Sequence, residues 1–454
     1  MENKVGDYGY AMASVKTTTT AVGDGSQVDI DFSTDLGQLT YIRKIIINGN
    51  TMTRDHVIRR EMRLFEGGKF NASDMRNSLS RLRRLGYFSA VNAKVLPVES
   101  SNNQIDLLVT VVEASAGNAQ MGVTYSERSG AGLNISLSHN NVLGSGKKFS
   151  INFVTDQVTK QNYLSLTDPY FTKDGISLSY SVFNRKTDTS NIGEASYIKN
   201  SIGFNFNFGV PINEYDKIFF GSKIEEADFS CGSSFDECIN YVERYNSLVR
   251  GEKHRFNLLS LFLSWSKDTR NTSIFPTEGQ LQTLSYNYGF GDAKFDKYSY
   301  SHLIYLPLFE KSTFKITGKL STGKSKDGEL PFFERYFAGG IGSVRGFYSG
   351  SLSDVNDADN NLGGSFRSIF NLDFITPFIL APDAPSVRMT TFIDAGYAFK
   401  NQDEFDFDNL NSSYGVGVLW ITPVAPLSFT YANAMNSTDA DNERKFQFQL
   451  GYSF

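Results

Sequence analysis

Apolar and polar residues alternate in short segments from about Gly117 to the end of the chain. A period of two is typical of a β-strand with one face against an apolar medium and the other against water. The final segment shows the pattern most clearly, because its apolar side chains alternate with Gln447, Gln449 and Ser453. These apolar residues are Phe446, Phe448, Leu450, Tyr452 and Phe454. One face of this strand therefore suits lipid, and the other suits a water-filled lumen.

Sixteen such segments follow one another along the chain. An even number is expected for a closed antiparallel barrel of the bacterial outer membrane. Their approximate centres are Val123, Ile135, Ile151, Leu164, Leu178, Phe204, Phe219, Leu261, Leu284, Leu303, Ile316, Ile369, Thr391, Val418, Phe429 and Phe448. The sequence therefore predicts a membrane all-β protein whose residues 116–454 form a sixteen-stranded transmembrane β-barrel.

The connections between the segments fall into two classes. Those after even-numbered strands are mostly compact Pro/Gly turns, such as the one at 144–146. Those after odd-numbered strands include longer polar stretches, at 185–195, 228–251, 322–364 and 400–412. Outer-membrane barrels have short periplasmic turns and long outer loops. We therefore predict a long outer loop at 322–364 and place the preceding part of the chain in the periplasm.

The first 115 residues combine helical patterns with short strands and contain an internal repeat. The Gly-Tyr pair at 9–10 recurs at 86–87, and the block 27–30 recurs as 104–107, both with an offset of 77 residues. A constant offset across two separated blocks indicates a repeated supersecondary unit.

Residues 39–115 are predicted to hold one complete copy of this unit, with the element order β-α-α-β-β. Thr53 and Asn71 are the candidate N-caps of its two helices. The predicted elements are a strand at 41–47, helices at 53–63 and 71–85, and strands at 90–98 and 105–112. Residues 1–38 are expected to be a partial copy that retains only the last strands.

Both predicted helices are rich in arginine. These residues are Arg54, Arg59, Arg60, Arg63, Arg76, Arg81, Arg83 and Arg84. Such a set is either a solvated helix face or a docking surface for acidic partners or anionic lipid.

Composition agrees with a barrel. The mean hydropathy is −0.29, and the densest apolar stretch, Leu258 to Trp265, is far shorter than a spanning helix requires. A barrel strand needs lipid-facing side chains only at alternate positions, so its average composition is polar. The net charge of −5 gives no support to nucleic acid as a partner.

Two short features bear on the cellular compartment. Cys231 and Cys238 lie in the predicted fourth outer loop, and a disulfide between them would fit an oxidising compartment. The residues Met1 to Gly9 have neither an apolar core nor a cleavage site, so we expect no export signal at this start.

A glycine-rich stretch from Tyr336 to Phe347 lies inside the longest predicted loop and carries Arg345, a planar cation. The motif Val344-Arg345-Gly346-Phe347 resembles the signature of the BamA superfamily of outer-membrane β-barrel insertases. The β-α-α-β-β order is similar to that of the POTRA domains of this family. The resemblance implies that the loop folds into the lumen and that Arg345 pairs with acids of the barrel wall. By position, these acids are Asp373 and Asp394.

The resemblance also implies a function: folding and inserting β-barrel proteins by strand templating at a lateral gate, as the central component of the assembly machinery. The first gate strand would contain Asn118, Gln120, Gly122 and Tyr125, and the second would be the strand from Phe446 to Phe454. The implied partners are unfolded outer-membrane clients, accessory outer-membrane lipoproteins, the lipid bilayer and lipopolysaccharide. The implied location is the outer membrane of a Gram-negative bacterium, with the POTRA domain in the periplasm.

Two other functions stay open at this point, a two-partner secretion transporter for an exoprotein and a passive porin. The stretch Gly318 to Ser325 fits the phosphate-binding pattern G-x4-G-K-S, but it lies in a strand pattern with no helix after it. The four histidines are scattered, and no nucleophile motif stands out. We therefore predict no enzymatic activity, no metal site and no cofactor.

Overall fold

The computed structural model describes residues 2–22, 27–99, 101–190, 192, 196–233, 235–249, 255–272, 275–309, 311–326, 328–354, 361–422, 425–436 and 442–451. The chain forms two compact units. The first comprises Met1–Asn118 with Ser138–Phe149, and the second comprises Ala119–Leu137 with Ser150–Phe454.

The first unit contains a three-stranded sheet covered by two helices. The elements of the complete repeat are β3 (Tyr41–Asn48), α2 (Asp55–Arg59), α3 (Ala72–Arg84), β4 (Phe88–Val98) and β5 (Ser101–Glu113). In the sheet, β5 is central, parallel to β3 and antiparallel to β4. The most deeply buried core side chains are Val57, Ile58, Leu82, Ile105, Leu107 and Val109. The predicted β-α-α-β-β order is confirmed.

The partial repeat contains more than the two predicted strands. It begins with the helix α1 (Glu2–Gly6), followed by the hairpin β1 (Ser14–Val22) and β2 (Gln27–Asp35). With the offset of 77 residues, α1 falls on the C-terminal half of α3, and the hairpin falls on β4 and β5. The prediction that this partial copy retains only the last strands was therefore wrong. It also retains a part of the helix that corresponds to α3.

The two predicted helix caps have different outcomes. Asn71 caps α3, since its side chain accepts a hydrogen bond from the N–H of Asp74 at 3.0 Å. Thr53 does not cap α2: its side chain is buried and accepts from the Asn141 amide group at 2.8 Å. Helix α2 has Arg54 at its N-cap, without a side-chain cap, and is only 5 residues long. A tertiary hydrogen bond has replaced the local one that the sequence predicts.

Several of the helix arginines form ion pairs within the first unit. Arg59 pairs with Asp55, Arg76 with Asp7, and Arg81 with the buried Glu61. These contacts reduce the charge that the helices offer to an external partner.

Glu113 holds the turn that precedes α2. Its carboxylate accepts hydrogen bonds from the hydroxyl of Thr51 at 2.7 Å and from the backbone N–H groups of Met52 at 2.9 Å and Thr53 at 2.6 Å. Burial alone would raise the pKa of Glu113, but these hydrogen bonds lower it to about 2. A carboxyl group with a lowered pKa contributes stability that is present above its unfolded pKa and is lost as the pH falls through its folded pKa.

We therefore expect acidification from pH 5 to pH 2 to lower the hydrogen-exchange protection of the Met52 and Thr53 amides, corrected for intrinsic rates. Because the side chain is partly exposed, the expected loss is about 1 kcal/mol, or roughly fivefold in protection. Glu113→Gln should remove most of this pH dependence, whereas Glu99→Gln on the exposed β4–β5 turn should leave it intact. Equal pH dependence in the wild type and Glu113→Gln would contradict the assignment.

The second unit is a closed antiparallel barrel of sixteen strands. Its strands are β6 (Gly117–Ser126), β7 (Gly130–His139), β8 (Lys148–Thr155), β9 (Thr159–Asp168), β10 (Ser177–Asp188), β11 (Tyr197–Pro211), β12 (Asp216–Cys231), β13 (Arg255–Asp268), β14 (Gly279–Gly291), β15 (Phe295–Phe309), β16 (Ser312–Ser325), β17 (Phe366–Pro377), β18 (Val387–Phe399), β19 (Asn411–Ile421), β20 (Pro426–Asn436) and β21 (Phe446–Leu450). All sixteen predicted centres lie within these strands. The predicted fold class is therefore confirmed.

The connections follow the predicted alternation only in part. The connections at 127–129, 156–158 and 292–294 follow odd-numbered barrel strands and are nevertheless only three residues long. The longest loop spans 326–365 rather than 322–364, because Thr322 to Ser325 continue the ladder with β15. Four short 3-10 helices lie in the described connections, at Val142–Gly144, Phe332–Glu334, Gln402–Glu404 and Phe407–Asn409.

Side-chain exposure alternates along the strands, as the sequence pattern predicts. On β21, Phe446 is 55% exposed and Gln447 is 1% exposed. Tyr452 and Phe454 of the predicted last strand lie outside the described residues. Within the described part of the chain, no helix combines the length and apolar character needed to cross a membrane.

Candidate functional site

The Val344–Phe347 motif lies deep in the barrel unit, within the loop that joins β16 to β17. Val344 and Phe347 are completely buried in a cluster with Ala338, Leu352 and Ala398. Gly346 has a φ of +89°, and a Cβ atom at this position would lie 3.0 Å from the Cβ of Ala432. This position requires glycine both for its backbone conformation and for its close approach to β20.

Arg345 lies between two carboxylates of neighbouring strands. Its Nε donates to Asp394 Oδ2 at 2.6 Å, and its Nη2 donates to Asp394 Oδ1 at 2.6 Å and to Asp373 Oδ1 at 2.7 Å. Its backbone N–H also donates to Asp394 Oδ2, at 3.0 Å. Both carboxylates are buried, so the guanidinium is paired as a buried charge requires. The structure therefore brings together the Arg and the two acids that the sequence indicated.

Further side chains complete this cluster, and the sequence did not indicate them. Asn371 donates to Asp394 at 2.8 Å and to the Ser343 carbonyl at 2.7 Å, and Lys315 donates to Asp373 at 3.1 Å. The guanidinium carbon of Arg345 lies 3.5 Å from the ring centroid of Phe392. The only available signal was the shared strand face of Asn371 and Asp373, two positions apart on β17.

The charge of Arg345 is stable in this setting. Burial would lower the pKa of its guanidinium, but hydrogen bonds with Asp394 and the charges of Asp394 and Asp373 raise it. Arg345 is therefore a permanent cation that ties the loop to the barrel wall.

The barrel closes between its last strand, β21, and its first strand, β6, a junction that we call the seam. Among the described residues, a single Cα pair, Leu450 with Tyr125, joins the two strands, whereas β20 and β21 share five pairs. The rings of Tyr125 and Phe448 add a contact at 5.8 Å between centroids. Of the other predicted gate residues, Asn118 and Gln120 are exposed and Gly122 is half-buried. The seam is thus the weakest junction among the described strand pairs.

The loop motif also binds the last strand. The amide group of Gln447 on β21 accepts from the Gly346 N–H at 3.0 Å and donates to the Phe347 carbonyl at 2.8 Å. The N–H of Arg444 donates to the Gly346 carbonyl at 2.8 Å. The alternating pattern indicated Gln447 only as a lumen-facing polar residue. Its hydrogen-bond partners are about 100 residues away in the sequence, so the alternation alone did not identify them.

Cys231 and Cys238 form a disulfide that joins the end of β12 to the helix α4 (Asp236–Val249). This helix lies over an aromatic cluster that includes Phe229, Phe256 and Phe332. The disulfide thus fastens α4 to the rim of the barrel. Cys238 lies in the predicted loop, whereas Cys231 is the last residue of β12 because it still pairs with Tyr197 of β11.

Two predictions concern sites for ligands. The stretch that fits the phosphate-binding pattern, Gly318 to Ser325, lies entirely in β16, so no loop is present there to surround a phosphate. Among the described residues, no group of three or more His, Cys, Asp or Glu side chains has an arrangement that would hold a metal ion.

Residues 141–454 match the family model described as the Omp85 superfamily domain, which is more than half of the chain. The chain belongs to the Omp85 superfamily. Residues 40–114 match the POTRA model, described as a surface antigen variable number repeat. The resemblance to this family that was inferred from the sequence is therefore confirmed.

Two curated relatives match almost the whole chain. The outer membrane protein assembly factor BamA of Neisseria meningitidis is 28% identical over 491 aligned positions, which cover 100% of this chain and 62% of the relative. The protein of the same name from Nitratidesulfovibrio vulgaris is 25% identical, over 99% of this chain and 56% of the relative. The chain thus spans somewhat less than two thirds of the length of these relatives.

Solved structures show the same Omp85 architecture. The crystal structure of BamA from Haemophilus ducreyi lacking POTRA domains 1–3 aligns with a TM-score of 0.83 at 27% identity, covering 98% of this chain and 90% of that chain. CdiB from Acinetobacter baumannii aligns with a TM-score of 0.59 at 15% identity, over 98% and 79% of the two chains. At that identity the second likeness concerns the fold alone.

Proposed function

We propose that this Omp85 protein folds and inserts β-barrel proteins into the outer membrane of a Gram-negative bacterium, as the central component of an assembly machinery. The observation that carries the proposal is the seam, where a single Cα pair of the described residues, Leu450 with Tyr125, joins β21 to β6. The names of the relatives, outer membrane protein assembly factors, support the same function. The proposal places the first unit, with its POTRA domain, in the periplasm.

The physical obstacle to inserting a barrel is unpaired backbone in hydrocarbon. Each unsatisfied N–H or C=O group costs several kcal/mol there, so a strand enters only if its backbone is already paired. Separation of β6 from β21 would expose a strand edge to which a client strand adds by hydrogen bonding. The client then gains its ladder while it enters the bilayer. This is assembly without bond chemistry, and the proposal therefore needs no cofactor.

The proposed partners follow from the reaction. They are unfolded outer-membrane proteins, the lipid bilayer with lipopolysaccharide, and accessory outer-membrane lipoproteins. The lipid face of the barrel supports the bilayer contact, since outward residues such as Leu261, Leu263 and Leu284 are about half exposed. The client contact is proposed for the edges of the seam.

The chain should speed the folding of a barrel client in liposomes. We would reconstitute it, add a urea-unfolded barrel protein and follow the client by heat-modifiable gel mobility and protease protection. We expect faster folding than in liposomes without the chain, and no speeding by the chain denatured before reconstitution. Equal rates in all three samples would refute the proposal.

The same liposomes distinguish the two alternatives. A passive porin would give a steady ion conductance without client folding, and a two-partner secretion transporter would move an exoprotein across the membrane while leaving a barrel client unfolded. The likeness to CdiB supports this last alternative only at the level of the fold, and it is more distant than the likeness to BamA.

A further inference from the structure

Glu127 lies directly after β6, at the seam. The antiparallel pairing of Leu450 with Tyr125, continued by two residues, places Glu127 opposite Phe448. The backbone N–H of Phe448 and the side chain of Gln447, both on β21, lie near the Glu127 carboxylate. Glu127 thus faces the strand that closes against its own.

Arg444 completes this arrangement from the segment before β21. Its Nε lies 3.3 Å from Glu127 Oε1, and its Nη1 donates to the Tyr348 hydroxyl at 3.2 Å. The Glu127 side chain is only 13% exposed, although that of Arg444 is 42% exposed. The backbone N–H of Arg444 also donates to the Gly346 carbonyl, so Arg444, the partner of Glu127, is itself attached to the loop motif.

The two strands of the seam are therefore held unequally. Strand β21 is held by β20 through five Cα pairs and by the loop motif through Gln447. Among the described residues, strand β6 is joined to β21 by one Cα pair, by the ring contact of Tyr125 with Phe448 and by the ion pair of Glu127 with Arg444. Removing one partner of an ion pair leaves a largely buried charge on the other side uncompensated. Glu127 thus supplies a charged tie across the seam.

We propose that Glu127 and Arg444 form a seam latch, in which Glu127 is the positioning residue that keeps β6 closed against β21. Release of the carboxylate would free the β6 edge, while β21 stays bound to the loop motif and to β20. The consequence for client folding rests on the proposed function, but the latch itself is a property of the barrel and is measured without a client.

The test is a distance measurement across the seam in the full chain in lipid nanodiscs. Spin labels at Val123→Cys on β6 and Val416→Cys on β19 both lie at exposed positions. The native cysteines are already joined in a disulfide, so only the introduced ones react. We expect Glu127→Gln, and separately Arg444→Gln, to increase the fraction of long distances about tenfold.

The matched control is Glu226→Gln, which removes an Arg–Glu pair between β12 and β13 with 3.0 Å between Arg255 Nη1 and Glu226 Oε1. It should leave the distance distribution unchanged. A label pair on β12 and β13 would establish in every variant that the barrel is folded. Folded barrels with an unchanged seam distance in both latch variants would overturn the latch, whether or not the chain folds clients. A lengthened distance together with no client folding in liposomes would instead reject the proposed function and leave the latch intact.

Discussion

A disulfide formed by Tyr125→Cys and Leu450→Cys is expected to reduce client folding in liposomes to the rate of liposomes without the chain. These two residues are the Cα pair of the seam. The Cα atoms of paired residues in antiparallel strands lie about 4.5–5.5 Å apart, a distance that suits a disulfide. The covalent bond would keep β6 and β21 together. No edge would then be available for a client strand, although the strand pairing of the rest of the barrel would persist.

The matched control places the same cross-link where the strands are not proposed to separate. Trp420 and Leu427 are Cα partners on β19 and β20, so a disulfide between cysteines at these positions should leave client folding intact. Client folding at the wild-type rate in the seam-locked protein, with the disulfide verified by mass spectrometry, would refute lateral opening. Loss of activity in both cross-linked proteins would point to damage by the cross-link itself.

Arg345→Glu should release the long loop from the barrel wall and strongly impair client folding. The change places a third carboxylate beside Asp373 and Asp394, with Lys315 as the remaining cation of the cluster described above. Loss of one partner of a buried ion pair costs about 3–5 kcal/mol. We therefore expect hydrogen-exchange protection of the Gly346 amide to fall by about 100-fold or more, with slower client folding in the same preparation.

An exposed ion pair provides the comparison for this charge reversal. Arg255→Glu reverses a charge whose side chain is 73% exposed, and such pairs contribute about 0–1 kcal/mol. It should change neither the protection of Gly346 nor the rate of client folding. If Arg345→Glu behaved like Arg255→Glu, the ion pairs of Arg345 would not be what holds the loop.

The number of strands and the direction of their faces could be predicted because both depend on neighbouring residues. A period of two is a property of the extended backbone, so each of the sixteen strand centres was recognisable without any knowledge of the neighbouring strands. The ends of the strands were less predictable. Thr322 to Ser325 contain a glycine and no apolar side chain, which is typical of a loop, yet pairing with β15 keeps them in β16.

The loop motif illustrates an intermediate case. A cation such as Arg345 in a confined lumen requires a carboxylate, which together with the family resemblance indicated Asp373 and Asp394. The contributions of Asn371 and Lys315 depend on which residues of β16, β17 and β18 stand side by side, and nothing local specifies that register. Thr53 failed as a cap for a similar reason, since Asn141, 88 residues away, occupies its hydroxyl.

Strand number and the lipid and lumen faces are encoded in local order, because alternation acts within a strand. Tertiary structure alone decided that a single Cα pair of the described residues closes the seam and that Glu127 faces Phe448. The register at closure is the sum of the stagger between all sixteen strands. Such a sum has no signature in any one segment of the sequence.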